Sequence, residues 1–267
     1  MDTSKYIEFP NFDQVIFHIY GPLALRWYSL AYIMGIILGW FYIKFIIKKY
    51  NSGKFSLTHL DDMVAWIVVG VVLGGRIGHI LFYDLWRYLN DPISVFKVWE
   101  GGMSFHGGLI GVILACYFFA KSRKIPFLQV ADLMALTAPI GLGLGRIANF
   151  INGEIFGRVT DVSWAVLFPA GGYLPRHPSQ LYEAFLEGIV LFALVNFMAL
   201  RKNRLAAHGY ASGLFLLWYG SFRIFVEFFR EPDAHIGYLF GLVSMGQLIS
   251  IPLLGVGYYL LNQSKKA

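Results

Sequence analysis

Apolar stretches long enough to cross a lipid bilayer recur along this chain, and that recurrence excludes most architectures at once. Seven of them run over Pro22–Ile47, Met63–Leu85, Met103–Ala120, Phe127–Ile151, Ser179–Leu200, Gly209–Phe229 and Leu242–Leu261. A helix crossing the hydrocarbon core needs about 20 apolar residues. Inside lipid, every backbone polar group must be satisfied within the protein, so such segments are helical. Charged residues make up 14% of the chain and hydrophobic residues 57%, where a soluble domain carries about 25% charged. The expected fold is an all-α polytopic membrane protein with seven transmembrane helices, forming a single integral membrane domain over 1–267. The link over 152–178 carries Val162-Ser163-Trp164-Ala165-Val166-Leu167-Phe168, then Pro169, Gly171, Gly172 and Pro175. It predicts a small extracytoplasmic head of extended chain. The Phe12–Tyr20 stretch alternates apolar and polar residues and predicts an N-terminal interfacial arm.

Orientation follows from the basic residues of the links. One side carries Lys44, Lys48, Lys49, Lys54, Lys121, Arg123, Lys124, Arg201, Lys202, Arg204, Lys265 and Lys266. The other carries Lys5, Arg87, Lys97, Arg158, Arg176 and Arg230. The richer side is expected to be cytoplasmic, which leaves the N-terminus outside and the C-terminus inside. Met1 to Asn11 lacks the basic start of a cleavable signal, so the first span is expected to be retained. The net charge of +6 is scattered singly between spans. It reads as a topology signal and not as a nucleic-acid footprint. The single cysteine, Cys116, lies within an apolar span. It offers no disulfide, and neither a metal nor a cofactor is expected.

Four arginines, Arg26, Arg76, Arg146 and Arg223, fall inside the apolar stretches, all toward the outer leaflet. An ionised side chain costs roughly 2.5–3.5 kcal/mol at the bilayer centre on insertion scales, less near the interface. That cost is bearable if the four share a polar cavity with anions, and Glu183, Glu187 and Glu227 are available. A phosphate is a further candidate, because a guanidinium binds it in bidentate fashion.

The polar residues gather in four stretches. Gly145-Arg146-Ile147-Ala148-Asn149 leads into Asn152-Gly153-Glu154 and Arg158, with Asn149 one helical turn after Arg146. In Gly101-Gly102-Met103-Ser104-Phe105-His106-Gly107-Gly108, glycine pairs flank His106. Glycine weakens a helix, so the third span is expected to start irregularly or as a re-entrant segment, with His106 projecting into a cavity as a candidate general base. His177-Pro178-Ser179-Gln180-Leu181-Tyr182-Glu183, with Glu187 a turn later, gives the fifth span a polar stripe. Tyr219, Arg223 and Glu227 recur every fourth residue on the sixth span, with Arg230 following. A structural reading remains open for each: ion pairs and interhelical hydrogen bonds that make the helices insertable. Tyr28, after Arg26-Trp27, fits either a headgroup contact or an aromatic belt.

Together these four stretches, in this order and across seven spans, resemble bacterial prolipoprotein diacylglyceryl transferases over essentially the whole chain. Ala148 stands where members often carry glycine. The resemblance implies an enzyme of the bacterial inner membrane, with its active site toward the periplasmic leaflet. It would transfer the diacylglyceryl group of phosphatidylglycerol to the thiol of the lipobox cysteine of a preprolipoprotein signal peptide. A thioether forms and glycerol phosphate leaves. It implies His106, Arg146 and Arg223 as catalytic residues, His106 taking the thiol proton and the arginines the charge of the leaving phosphate. Tyr28, Asn149, Glu154, Arg158, Glu183, Tyr219 and Glu227 would bind or order substrate, Glu183 being an alternative base. Two other classes use the same residues. A transporter of anionic lipid or phosphate esters would pass anions along the arginines, yet Asp132 is the main acidic residue deep on the cytoplasmic side and no arginine lies there. A membrane scaffold would not need His106 framed by glycines.

Overall fold

The computed structural model describes residues 5–21, 23–50, 55–97, 99, 101–232, 238–239 and 243–265. Met1, Pro22, Lys54, Leu242 and Lys266, each used above, lie outside the described residues. The protein is mostly helical. Five helices are long and apolar enough to cross a membrane: α1 (Trp27–Tyr50), α2 (Leu57–Phe82), α4 (Phe105–Ser122), α5 (Phe127–Ile151) and a continuous helical rod over Ser179–Leu200. That rod consists of α6 (Ser179–Glu183), a π-helical segment (Ala184–Val190) and α7 (Leu191–Leu200). The sixth and seventh apolar stretches form α8 (Tyr210–Val226, 17 residues) and α9 (Met245–Ser264, 20 residues). A short helix, α3 (Leu85–Asn90), follows α2.

The chain divides into two compact units. One takes His18–Ala24 and Trp40–Ala131, the other Met1–Phe17, Leu25–Gly39 and Asp132–Ala267.

In the Trp40–Ala131 unit, α2 begins at a capping box, with Ser56 accepting from the His59 amide while the His59 ring accepts from the Ser56 amide. Its other end packs on α4 through glycines. A Cβ on Gly70 would meet the Gly111 carbonyl oxygen at 2.6 Å, and one on Gly78 would meet the Gly107 Cα at 2.6 Å. Spacing these small residues four apart lets two backbones touch along a stripe, the usual device where lipid supplies no hydrophobic drive for helix pairing. This corrects the expected irregular start of the third span. The irregular backbone is confined to Gly101 and Gly102, at φ +88° and +80°. From Ser104, which caps the helix by accepting from the Gly107 amide at 3.2 Å, α4 is regular, and Gly107 is there for packing.

In the other unit, α8 and α9 pack through Gly213, Gly220 and Gly257. The buried Asp132 of α5 caps α8 from outside, accepting from the amides of Gly209 at 2.7 Å and Ser212 at 2.8 Å and from the Ser212 hydroxyl at 2.7 Å. A carboxylate at a helix N-terminus answers the free amides and the positive end of the dipole together. Residues 152–178 contribute two strands, β4 (Val166–Leu167) and β5 (Pro175–Arg176), which pair antiparallel. β1 (Ile7–Glu8) adds to β4 in parallel. Under this three-stranded sheet the fully buried Phe168 meets the rings of Phe9, Phe150 and Phe156. The N-terminal stretch forms β2 (Val15–Tyr20), paired with β3 (Leu23–Arg26).

Candidate active site

Three helices of the α5–α9 unit converge on one buried cluster of charge. Arg146 comes from the last two turns of α5, Glu183 and Glu187 from the two sides of the α6–π junction, and Arg223 and Glu227 from the end of α8. Arg230 follows one turn later. Glu183 is the hub. Its Oε2 lies 2.6 Å from Arg146 Nε and 3.5 Å from Arg223 Nη1, and its Oε1 lies 3.3 Å from Arg230 Nη1. Glu187 lies 3.4 Å from Arg146 and 3.9 Å from Arg223. Glu227 meets Arg223 Nη2 at 2.5 Å and Arg230 Nε at 3.8 Å. Three guanidinium groups face three carboxylates, so the ionised cluster sums to no net charge. The contacts are close without being saturated. Arg223 Nη1, Glu183 Oε2 and Glu187 Oε1 are buried and make no hydrogen bond of good geometry. Such groups are held by charge alone and are open to a better-aligned partner.

The surrounding chain fixes this cluster from two directions. Ser244, at the N-cap of α9, accepts from the Gln247 amide at 3.2 Å and donates its one proton to Glu227 Oε2 at 2.6 Å. Arg158 donates from Nε to the Arg230 carbonyl at 2.8 Å and from Nη2 to the Glu227 carbonyl at 2.9 Å, tying the 152–178 segment to the end of α8. One turn beyond Arg146, Asn149 donates from Nδ2 to the Tyr28 hydroxyl at 2.8 Å and to Glu154 Oε1 at 3.0 Å. Gln180 donates to the Glu154 carbonyl at 2.7 Å, so the start of α6 holds this loop in place. Tyr219, one turn before Arg223, stacks on Phe215 with ring centroids 5.6 Å apart.

Of the residues singled out in the sequence, Arg146, Arg223, Glu183 and Glu227 therefore meet in one cluster. Tyr28, Asn149 and Glu154 form an adjoining hydrogen-bonded chain, and Arg158 braces both. Arg230 and Glu187 belong to the cluster with equal standing, and Ser244 supports it. Arg230 is legible as the residue three positions after Glu227, and Ser244 as the first member of a Ser-x-x-Gln capping box. His177, at the approach to α6, lies 3.2 Å through Nδ1 from the Tyr182 hydroxyl, which accepts from Trp164 Nε1 at 2.7 Å. Burial pushes the His177 imidazole below the usual histidine range, and the Arg158 guanidinium adds to the shift.

His106 belongs to the other unit. It is exposed in the first turn of α4, its ring edge-on to Phe105 at 5.6 Å. Arg76 belongs there too, and the expectation that it joins a shared arginine cavity is corrected. Its Nε donates to the Val95 carbonyl at 2.9 Å, Nη1 to Gly101 at 2.5 Å and Gly102 at 3.2 Å, and Nη2 to Ser94 at 2.5 Å and Lys97 at 3.2 Å. A guanidinium has five N–H donors, and here every one is taken by a backbone carbonyl of the same unit. Arg26 ends β3, just ahead of α1, and is exposed.

A family model described as prolipoprotein diacylglyceryl transferase matches residues 14–262. A Rickettsia felis protein named phosphatidylglycerol--prolipoprotein diacylglyceryl transferase is 50% identical over 256 residues, 96% of this chain and 98% of that protein. A Sinorhizobium medicae protein of the same name is 51% identical over 267 residues, 98% of this chain and 95% of that protein.

Proposed function

Because this chain belongs to the prolipoprotein diacylglyceryl transferase family, we propose that it carries the diacylglyceryl group of phosphatidylglycerol to the lipobox cysteine thiol of a preprolipoprotein. The sulfur forms a thioether to the glycerol carbon of the diacylglyceryl group, the carbon–oxygen bond to phosphate breaks, and glycerol phosphate departs. The observation that carries the reading is the unsaturated cluster of three arginines and three glutamates. A phosphodiester entering it adds a negative charge that Arg146 and Arg223 can meet in bidentate fashion, displacing their loosely aligned carboxylates. As the carbon–oxygen bond breaks, charge grows on the departing phosphate, and buried guanidinium groups already in position stabilise that charge most.

Glu183 links all three arginines and acts by positioning them, with Glu227 and Ser244 holding Arg223 from the other side. Asn149, bonded to Tyr28 and Glu154, and Arg158, bonded to the end of α8, order the neighbouring loop for the headgroup. Tyr219 lines the approach to Arg223. His106 takes the proton of the substrate thiol, whose thiolate is the competent nucleophile. The enzyme supplies no nucleophile of its own, in keeping with a lone cysteine, Cys116, buried within α4.

In the same reading α8 and α9 are the sixth and seventh membrane crossings, and residues 152–178 form a small periplasmic head. The protein sits in the inner membrane with its N-terminus periplasmic, its C-terminus cytoplasmic and its active site toward the periplasmic leaflet. The excess of Lys and Arg on one set of links supports this orientation.

The test uses purified protein, phosphatidylglycerol and a synthetic lipobox peptide, following peptide mass and glycerol phosphate together. Equal amounts of lipidated peptide and glycerol phosphate are expected, with neither formed when the peptide cysteine is replaced by serine. Glycerol phosphate without peptide modification would instead mark a lipase.

A further inference from the structure

The α5–α9 unit also carries a polar cavity of about 380 Å³, lined by Gln14, Arg26, Tyr28, Asn152, Glu154 and Ile155. The volume lies within the ordinary range of small-molecule sites, roughly 300–1,000 Å³. Its chemistry is incomplete in a specific way. Arg26 is exposed and has no acceptor among the described residues. Glu154 pairs with no cation among the described residues; its Oε1 accepts only amide protons, from Asn149 at 3.0 Å and Asn152 at 3.3 Å. The Oδ1 of Asn152 is buried without a donor. Gln14 spends its amide nitrogen on the Asn152 carbonyl at 3.3 Å, which leaves its side-chain oxygen toward the cavity wall as a further acceptor. Because the Tyr28 hydroxyl accepts from Asn149, its own proton is free to donate.

One cation, one phenol proton and several oxygen acceptors thus converge on one space. A ligand that satisfies them has an anionic end for Arg26 and Tyr28 and at least two hydroxyl donors for Asn152, Gln14 and Glu154. Glycerol phosphate has that constitution: a phosphate at one end and a vicinal diol at the other. The cavity also touches the Tyr28–Asn149–Glu154 chain, which starts one turn from Arg146, so it adjoins the place where the phosphate is cleaved from the lipid.

We propose that this cavity is a glycerol phosphate site, in which Arg26 holds the phosphate and Asn152, Gln14 and Glu154 hold the diol. This rests on the transferase reading above. The group arrives either as the headgroup of phosphatidylglycerol, held here before its phosphate passes to Arg146 and Arg223, or as the product released from them, and the chemistry of recognition is the same. Arg26 and Gln14 then set headgroup selectivity, a role distinct from that of the buried arginines.

The experiment measures kcat and KM for phosphatidylglycerol, and inhibition by sn-glycerol phosphate, phosphoethanolamine and inorganic phosphate, in wild type, Arg26→Gln and Gln14→Leu. Both side chains are exposed and Arg26 bonds to nothing among the described residues, so folding should survive, and thermal unfolding checks it. In wild type, glycerol phosphate should inhibit about 10-fold more strongly than either other anion, and Arg26→Gln should weaken it about 10-fold, the worth of one charged hydrogen bond. Gln14→Leu should narrow the gap between glycerol phosphate and inorganic phosphate. A parallel rise in the KM of Arg26→Gln identifies the occupant as the lipid headgroup, and an unchanged KM identifies it as the free product. Equal inhibition by all three anions in wild type would overturn the proposal, as would an Arg26→Gln enzyme with unaltered KM and inhibition. Calorimetric binding of glycerol phosphate to wild type and Arg26→Gln needs no turnover. An inactive wild type that still binds it through Arg26 would therefore sink the transferase reading and leave the site standing.

Discussion

Two arginines of this protein, Arg76 and Arg146, sit in the same triplet, Gly75-Arg76-Ile77 and Gly145-Arg146-Ile147, and are partnered in opposite ways. Arg76 is enclosed by five backbone carbonyls from residues 94–102, with the Tyr88 ring 5.0 Å from its guanidinium carbon. Among the described residues Arg146 pairs with carboxylates alone, and those carboxylates are shared with Arg223 and Arg230. A carbonyl cage has no charge to exchange and no donor to spare; it fixes the fold. A carboxylate cluster of balanced charge with unaligned contacts can trade one anion for another, which is what a phosphate-cleaving site requires. The lesson is that an arginine in an apolar helix signals function only when its acceptors are themselves replaceable.

The largest effect should come from breaking the replaceable side. Arg146→Gln or Arg223→Gln should lower kcat for diacylglyceryl transfer by about 10²–10³, the usual loss for one donor to a developing oxyanion. Single-turnover rates on folded, purified variants check this, and a loss under tenfold would undo the contrast. On the caged side, Arg76→Lys supplies three donors for five carbonyls. It should reduce stability by about 1–3 kcal/mol through stranded acceptors, while the folded fraction turns over at close to the wild-type rate. Thermal unfolding in detergent alongside kcat separates the two. If Arg76→Lys instead lost activity at unchanged stability, Arg76 would belong with the functional set.

Smaller changes sharpen the comparison. Ser244→Ala removes the α9 cap and the proton given to Glu227. It should reduce stability by about 1 kcal/mol and slow transfer several-fold, while Ser244→Thr keeps both properties. The smallest effect is one of pH. His177 binds its proton less readily folded than unfolded. The unfolded chain therefore holds more protons between the lowered folded pKa and about 6.5. His177 stabilises the protein above that window, and the contribution is lost as pH falls through it. Because the ring is only partly buried, the melting temperature should drop under about 2 °C more in wild type than in His177→Gln between pH 7.5 and 5.5.

How much of this was legible in the sequence differs by kind of signal. The fourth and fifth spans were readable to the residue, Phe127–Ile151 and Ser179–Leu200, because apolar runs bounded by proline and polar loops leave little choice. Arg146, Arg223, Glu183 and Glu227 were readable because charge is so rare in lipid. Arg230 read as a link residue, since it stands beyond the apolar run; only the turn after α8 returns it to Glu183. Arg76 read like Arg146, and nothing local distinguishes them: its fate depends on Gly101 and Gly102 adopting positive φ and turning their carbonyls back. Gly107 and Gly108 of α4 were misread as a sign of an irregular helix start, because the partners of Gly107, Gly74 and Gly78, lie on another helix. The pairing of Ile7 with Val166 joins strands of two residues across most of the chain, too short for any periodicity to announce.

The carbonyl cage also has a consequence in time. Its acceptors lie 18 to 26 residues downstream of Arg76. At a synthesis rate of about 5–20 residues per second, α2 must enter the membrane with a bare cation for about 1–5 s before the chain that satisfies it has been made. Arg146 waits longer, since Glu187 is 41 residues away. The charge balance of its cluster closes only once α8 and Arg230 have emerged. Arg76 is thus an early checkpoint of biogenesis and Arg146 a late one, so defects at the two should be met by quality control at different lengths of nascent chain.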